Sequence, residues 1–345
     1  MSRDNQNPLM SSCLSPGSMV GYYIVCIEGK RKEATMEMII HEVGMRDGLQ
    51  VEKAVVPTDQ KIRWIEALIL SGVDIVQLGS FVHPGKVPQM ADTDQLFAHF
   101  SQPGRKARPV TLSGLVLNEK GLERGMTCGV EQFCMGVSAS DTHSRKNTGM
   151  STPEATERII AMARNAVEAG KAVQVSVQSA FGCGYEGVVP EEKVLEIVRR
   201  YLDAGLRTIS LADTAGHAIP DQVERLFGSI LELDPRAECA CHFHDTYGLA
   251  MANACAALRC GVKYFEAAFA GLGGCPFTAV AAGNLCTEDF VHLLQRMGRR
   301  RDIQLDKLVA TASETGQFLR RTLPGTVHRT GPMRNVRPEA QAAQS

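Results

Sequence analysis

The sequence predicts an α/β fold in which eight parallel strands close into a (β/α)8 TIM barrel with extra C-terminal helices, and three observations carry that expectation. From Glu37 onward short apolar runs alternate with amphipathic stretches, the pattern of βα units. Eight such runs fall within roughly 250 residues, the usual size of this barrel. No glycine-rich phosphate turn follows the first run, as it would in a doubly wound dinucleotide-binding sheet.

The runs place strands over 38–43, 75–78, 109–117, 132–137, 172–178, 208–212, 238–243 and 264–269. Between them, helical periodicity covers 59–71, 153–169, 190–204, 220–233 and 248–260. Gly72, Gly170, Gly205 and Gly261 stand just past helix ends, where a left-handed residue closes the last turn. Pro153, Pro190 and Pro220 suit first helical turns, where the missing N–H costs nothing.

With 345 residues, 44% hydrophobic and 22% charged, the chain can bury a large core. A net charge of -1 excludes an electrostatic nucleic-acid binder, and no apolar run is long enough to span a membrane. The eleven cysteines form no Cys-x-x-Cys pair and are expected as reduced thiols in a cytoplasmic setting; Cys239 and Cys241 fit a buried strand better than half a zinc site. The polar, turn-rich residues 1–37 are expected to be a disordered or loosely attached tail, 38–323 the barrel domain, and 324–345 a second disordered tail.

In such a barrel the functional groups sit at the C-terminal ends of the strands. There the first run delivers Arg46 and Asp47, followed by Gln50 and Lys53. The second delivers Gln77 and Ser80, and the fourth leads into His143, Arg145, Lys146 and Asn147, a cluster that meets an anion or simply opens a solvated helix. The sixth run ends at Asp213, placed to orient a histidine or a substrate hydroxyl. The seventh ends in His242 and His244, two apart and therefore on one face, as a pair sharing one metal ion must be. Asp245 behind them either caps the next helix or orients a ligand imidazole. After the eighth run, Gly271, Gly273 and Gly274 make a pliant loop that carries Cys275, and Asn284 is either a helix cap or a neutral oxygen ligand.

Together these stretches resemble the 3-hydroxy-3-methylglutaryl-CoA lyase family of metal-dependent TIM-barrel enzymes. The matching signatures are Glu-Val-Gly-x-Arg-Asp-Gly-Leu-Gln at 42–50, Ser-Phe-Val-x-Pro-x-x-Val-Pro-Gln-Met at 80–90, His-x-His-Asp-Thr-Tyr-Gly at 242–248, Gly-Leu-Gly-Gly-Cys-Pro at 271–276 and Gly-Asn-Leu-x-Thr-Glu-Asp at 283–289. The resemblance implies a Mg²⁺ or Mn²⁺ site on Asp47, His242, His244 and Asn284, and an acyl-CoA substrate. It further implies Arg46 as the enolate-stabilising cation, Cys275 as the loop acid, His242 as a proton relay, Asp213 as a supporting acid, Lys53 as a basic residue near the mouth, and a homodimer. Two positions depart from the family pattern: Gln77 stands where a glutamate is usual, and Ser176 where some members carry tyrosine. Either the glutamate's role is shared out and the family substrate is still cleaved, or the pocket serves another hydroxyacyl-CoA. A Claisen-type synthase on the same scaffold is the further enzymatic alternative.

Overall fold

The structure, a computed structural model, describes residues 38–274 and 283–333. Eight strands, β1 Ile39–Glu42, β2 Ile75–Ser80, β3 Thr111–Leu115, β4 Gln132–Ser138, β5 Ala172–Gln178, β6 Thr208–Asp213, β7 Glu238–Phe243 and β8 Tyr264–Ala267, pair in chain order. All pairings are parallel, and β8 returns to β1, closing the predicted barrel.

The helices are α1 Thr58–Ser71, α2 Thr93–Phe100, α3 Glu119–Cys128, α4 Asp141–Thr148, α5 Thr152–Glu168, α6 Glu191–Asp203, α7 Pro220–Leu233, α8 Ala250–Arg259, α9 Thr287–Arg296, α10 Leu305–Leu319 and α11 Val327–Thr330. Gly72, Gly170, Gly205 and Gly261 all take positive φ, as expected of helix stops. Pro190 is the residue before α6 rather than inside its first turn.

Alternation along the strands divides the barrel into two environments. Ile40, Val76, Leu112, Phe133, Val175, Ile209, Cys241 and Phe265 are buried in the apolar core. Burying each of the larger ones contributes about 1.5–3 kcal/mol. His41, Gln77, Ser113, Gln174, Ser210, His242 and Glu266, one residue out of phase with these, are buried too, so the barrel interior is unusually polar. A slip in the β2–β3 register between Gln77 and Gly79 changes the phase of β2, so that Gln77 and Ser80 both border the same cavity.

One interior group gives a pH signature. His41 donates to or accepts from Ser113 Oγ through Nε2 at 2.7 Å, and burial pushes its pKa from 6.5 down to about 4. The barrel therefore holds His41 neutral while the unfolded chain protonates its histidine near 6.5, so stability falls as pH drops from 6.5 toward 4. We expect a loss of about 3 kcal/mol across that window. His41→Gln should flatten this part of the melting-temperature profile; an unchanged profile would contradict it.

Two sequence expectations change at the ends of elements. The eighth strand stops at Ala267, because a single turn at Phe269–Gly271 with Ala270 at φ 60° bends the chain over the mouth. Residues 324–333, expected as tail, include α11: Asp289 accepts backbone N–H groups of Thr326 and Val327, and Val327 is buried. Residues 1–37 and 334–345, the remainder of the expected tails, lie outside the described residues. Among the described residues no helix is long and apolar enough to cross a membrane.

Candidate active site and metal centre

Directly after β1 the chain makes one π-helical turn, Gly44–Gly48, whose widened spacing brings the consecutive Arg46 and Asp47 to the mouth together. Gly44 permits it, since a Cβ there would lie 2.5 Å from the Phe269 ring. The Glu42 carboxylate pins the turn, accepting from Gly44 N at 2.7 Å and from Thr287 Oγ1 at 2.6 Å, while its burial raises its pKa to about 8.

Asp47 is the centre of the cluster. Its Oδ2 lies 3.5 Å from His244 Nε2 and 3.8 Å from His242 Nε2, and it accepts from Asn284 Nδ2 at 2.9 Å. Oδ1 accepts from Arg46 Nη1 and, at 3.2 Å, from Gln50 Nε2. Burial opposes the charge of Asp47, but Arg46 and the two imidazoles outweigh it and hold the carboxyl well below its ordinary range.

Each imidazole is oriented from behind. His244 donates Nδ1–H to the backbone carbonyl of Asp213 at 2.9 Å, and His242 Nδ1 meets Glu266 Oε2 at the same distance. These contacts leave both Nε2 atoms facing Asp47. The Asn284 side chain is reached through Gly273, where a Cβ would lie 2.3 Å from Asn284 Nδ2. Although Asn284 is buried, its Oδ1 has no hydrogen-bond partner among the described residues. Two imidazole nitrogens, a carboxylate oxygen and an orphaned amide oxygen are a donor set suited to one divalent cation, and the potential ligand atoms of Asp47, His242 and His244 all lie within 4.8 Å of one another.

The cluster borders a cavity of about 270 Å³, with Arg46, Gln50, Gln77, Ser80 and Asn147 also on its wall. Arg46 Nε donates to Gln77 Oε1, so one guanidinium joins the amide to Asp47. Ser80 is buried, and its Oγ has no partner among the described residues. Asn147 stands exposed at the rim on α4, while neighbouring Arg145 pairs with Asp141 and Lys146 lies over the Tyr185 ring.

Two expectations need correction. The Asp213 carboxylate turns back on its own loop, accepting from His217 N at 2.7 Å and Ala218 N at 3.2 Å; only its backbone carbonyl supports His244. Lys53 is exposed and does not border the cavity. Of the two roles open to Asp245 the structure shows the first, at the start of the next helix, where it accepts from Ala250 N at 2.9 Å. Cys275 lies outside the described residues.

Sequence reasoning missed Glu266, Gln174 and Ser210, which form the cavity floor. Looking only at strand ends discards residues deeper in a barrel. The available signal was Glu266 itself, a charge inside the apolar run at 264–269.

Comparison with known proteins agrees with this geometry. The HMGL-like family model matches residues 37–314. A hydroxymethylglutaryl-CoA lyase of Bacillus subtilis is 36% identical over 288 residues, covering 84% of this chain and 95% of the relative. The (R)-citramalyl-CoA lyase of Chloroflexus aurantiacus is 36% identical over 300 residues, covering 85% and 95%. Among solved structures, an HMG-CoA lyase from Acinetobacter baumannii in complex with coenzyme A and 3-methylmalate superposes with a TM-score of 0.81 at 33% identity, covering 89% of this chain and 99% of that one. The chain belongs to the HMGL-like family and is a carbon–carbon lyase.

Proposed function

We propose that this protein cleaves the C2–C3 bond of 3-hydroxy-3-methylglutaryl-CoA, or of a close 3-hydroxyacyl-CoA, to acetyl-CoA and acetoacetate or the matching oxo product. The observation that carries the reading is the convergence of Asp47, His242 and His244 beside Arg46 at one cavity, with the Asn284 amide hydrogen-bonded to Asp47 Oδ2. Asp47, His242, His244 and Asn284 would hold Mg²⁺ or Mn²⁺, which would supply Lewis-acid polarisation of the tertiary hydroxyl and lower its pKa.

Arg46 supplies the complementary charge. Held by Gln77 and Asp47, its guanidinium opposes the negative charge that grows on the thioester oxygen as the enolate forms. Gln50, hydrogen-bonded to Asp47, holds the carboxylate's orientation, and Ser80 Oγ and Asn147 contact the substrate from the wall and rim. Protonation of the enolate carbon falls to Cys275, the residue that follows Gly274 in sequence. With Nδ1 engaged by Glu266 and Nε2 facing Asp47, His242 acts first as a ligand, and it relays a proton only when Nε2 is released.

The similarity to the citramalyl-CoA lyase, together with Gln77, favours a second reading in which the same chemistry acts on a different hydroxyacyl-CoA. The test is time-resolved product analysis on a panel of 3-hydroxyacyl-CoA thioesters with Mg²⁺ or Mn²⁺, set against acetyl-CoA plus oxo acids. Cleavage of 3-hydroxy-3-methylglutaryl-CoA well above the rest supports the first reading. A preference for another thioester supports the second, and net condensation would overturn both.

A further inference from the structure

Where the family signature carries a glutamate on β2, this chain has Gln77, an amide that accepts from Arg46 and brings no charge. Yet the cavity is not short of a second carboxylate. Glu266 enters it from β8, on the opposite side of β1, and is buried. In the sheet register Glu266 is the direct partner of His242 on β7 and of His41 on β1. Its Oε2 meets His242 Nδ1 at 2.9 Å, and its Oε1 accepts from Gln174 Nε2 at 2.5 Å and from Ser210 Oγ at 3.2 Å. No lysine or arginine among the described residues forms an ion pair with it. Its charge is thus directed through the imidazole toward Asp47.

We propose that Glu266 replaces the missing β2 acid: it is a positioning residue that fixes His242 with Nε2 free to bind the cation, and it supplies the negative charge that Gln77 lacks. A carboxylate behind a ligand imidazole fixes the tautomer and strengthens the donor nitrogen. The neutral donors on Oε1 hold the group in place without cancelling its charge. Gln77 on β2 and Glu266 on β8 lie on the two strands that flank β1. This proposal rests on Asp47, His242, His244 and Asn284 being the ligands.

The test is Mn²⁺ affinity, read by electron paramagnetic resonance on the intact chain without substrate, alongside the thermal transition. Glu266→Gln keeps the shape and removes the charge, and it should weaken Mn²⁺ binding on the order of 10–100-fold. Gln77→Glu combined with Glu266→Gln should recover part of that loss. Glu266→Asp, a milder change should the amide variant fail to fold, keeps the charge but draws it back from Nδ1 and should weaken binding several-fold. Folded Glu266→Gln or Glu266→Asp with wild-type Mn²⁺ affinity would overturn the positioning role, and no recovery in the double variant would overturn the replacement of the β2 acid. A wild-type chain that binds no Mn²⁺ would remove the ligand assignment itself, whereas an inactive wild type that binds Mn²⁺ would count against the proposed substrate alone.

Discussion

Asp47→Ala should lower kcat/KM by about a thousandfold, a loss of about 4 kcal/mol in transition-state stabilisation. The size follows from how many groups meet at this one carboxylate. Oδ2 faces both His242 Nε2 and His244 Nε2 and receives Asn284 Nδ2, while Oδ1 receives Arg46 and Gln50. Alanine removes the one charged ligand and leaves two imidazoles and a guanidinium crowding a buried space, with Glu266, behind His242, left as counter-charge. Cation binding should therefore fail together with turnover, and raising Mg²⁺ or Mn²⁺ should restore little. Asp47→Asn separates shape from charge: it keeps the side-chain outline but should still lose most of the activity. Undiminished turnover in Asp47→Ala would remove the metal assignment.

Arg46→Lys should lower kcat on the order of 10²–10³-fold while leaving Mn²⁺ affinity within a few-fold of wild type. The guanidinium uses two separate nitrogens, Nε for Gln77 and Nη1 for Asp47, and a fork of that kind keeps further N–H groups directed at a thioester oxygen. Lysine keeps the charge and can pair with Asp47, but its single ammonium cannot span both partners and still face the substrate. The expected split, with chemistry lost and the cation retained, distinguishes a transition-state role from structural support of Asp47. A parallel fall in Mn²⁺ affinity and kcat would assign Arg46 to holding the carboxylate instead.

The barrel was legible because its code is local. Short apolar runs and helix stops such as Gly72 and Gly205 mark elements without reference to anything distant, and the strands at 172–178 and 238–243 match β5 and β7 residue for residue. Arg46, Asp47, His242 and His244 were legible because they sit at or just beyond strand ends, where barrel chemistry gathers, and Asn284 through the Gly-Asn-Leu-x-Thr-Glu-Asp signature just before α9. What the sequence did not reveal depends on long-range placement. The π-helical turn that brings Arg46 and Asp47 together is held by Glu42 through Thr287, a contact across 245 positions. Glu266 reads as an interruption of an apolar run until β7 and β8 pair and set it against His242. The Asp213 carboxylate reads as a free acid until the loop folds back and His217 and Ala218 occupy it.

The most direct test of the account is a single titration: metal-stripped wild-type protein receives Mn²⁺ while bound ion and lyase turnover of 3-hydroxy-3-methylglutaryl-CoA are measured on the same samples. The account predicts one ion per chain, with acetyl-CoA release rising in proportion to occupancy from a negligible metal-free level. Full turnover by the metal-stripped protein would contradict it.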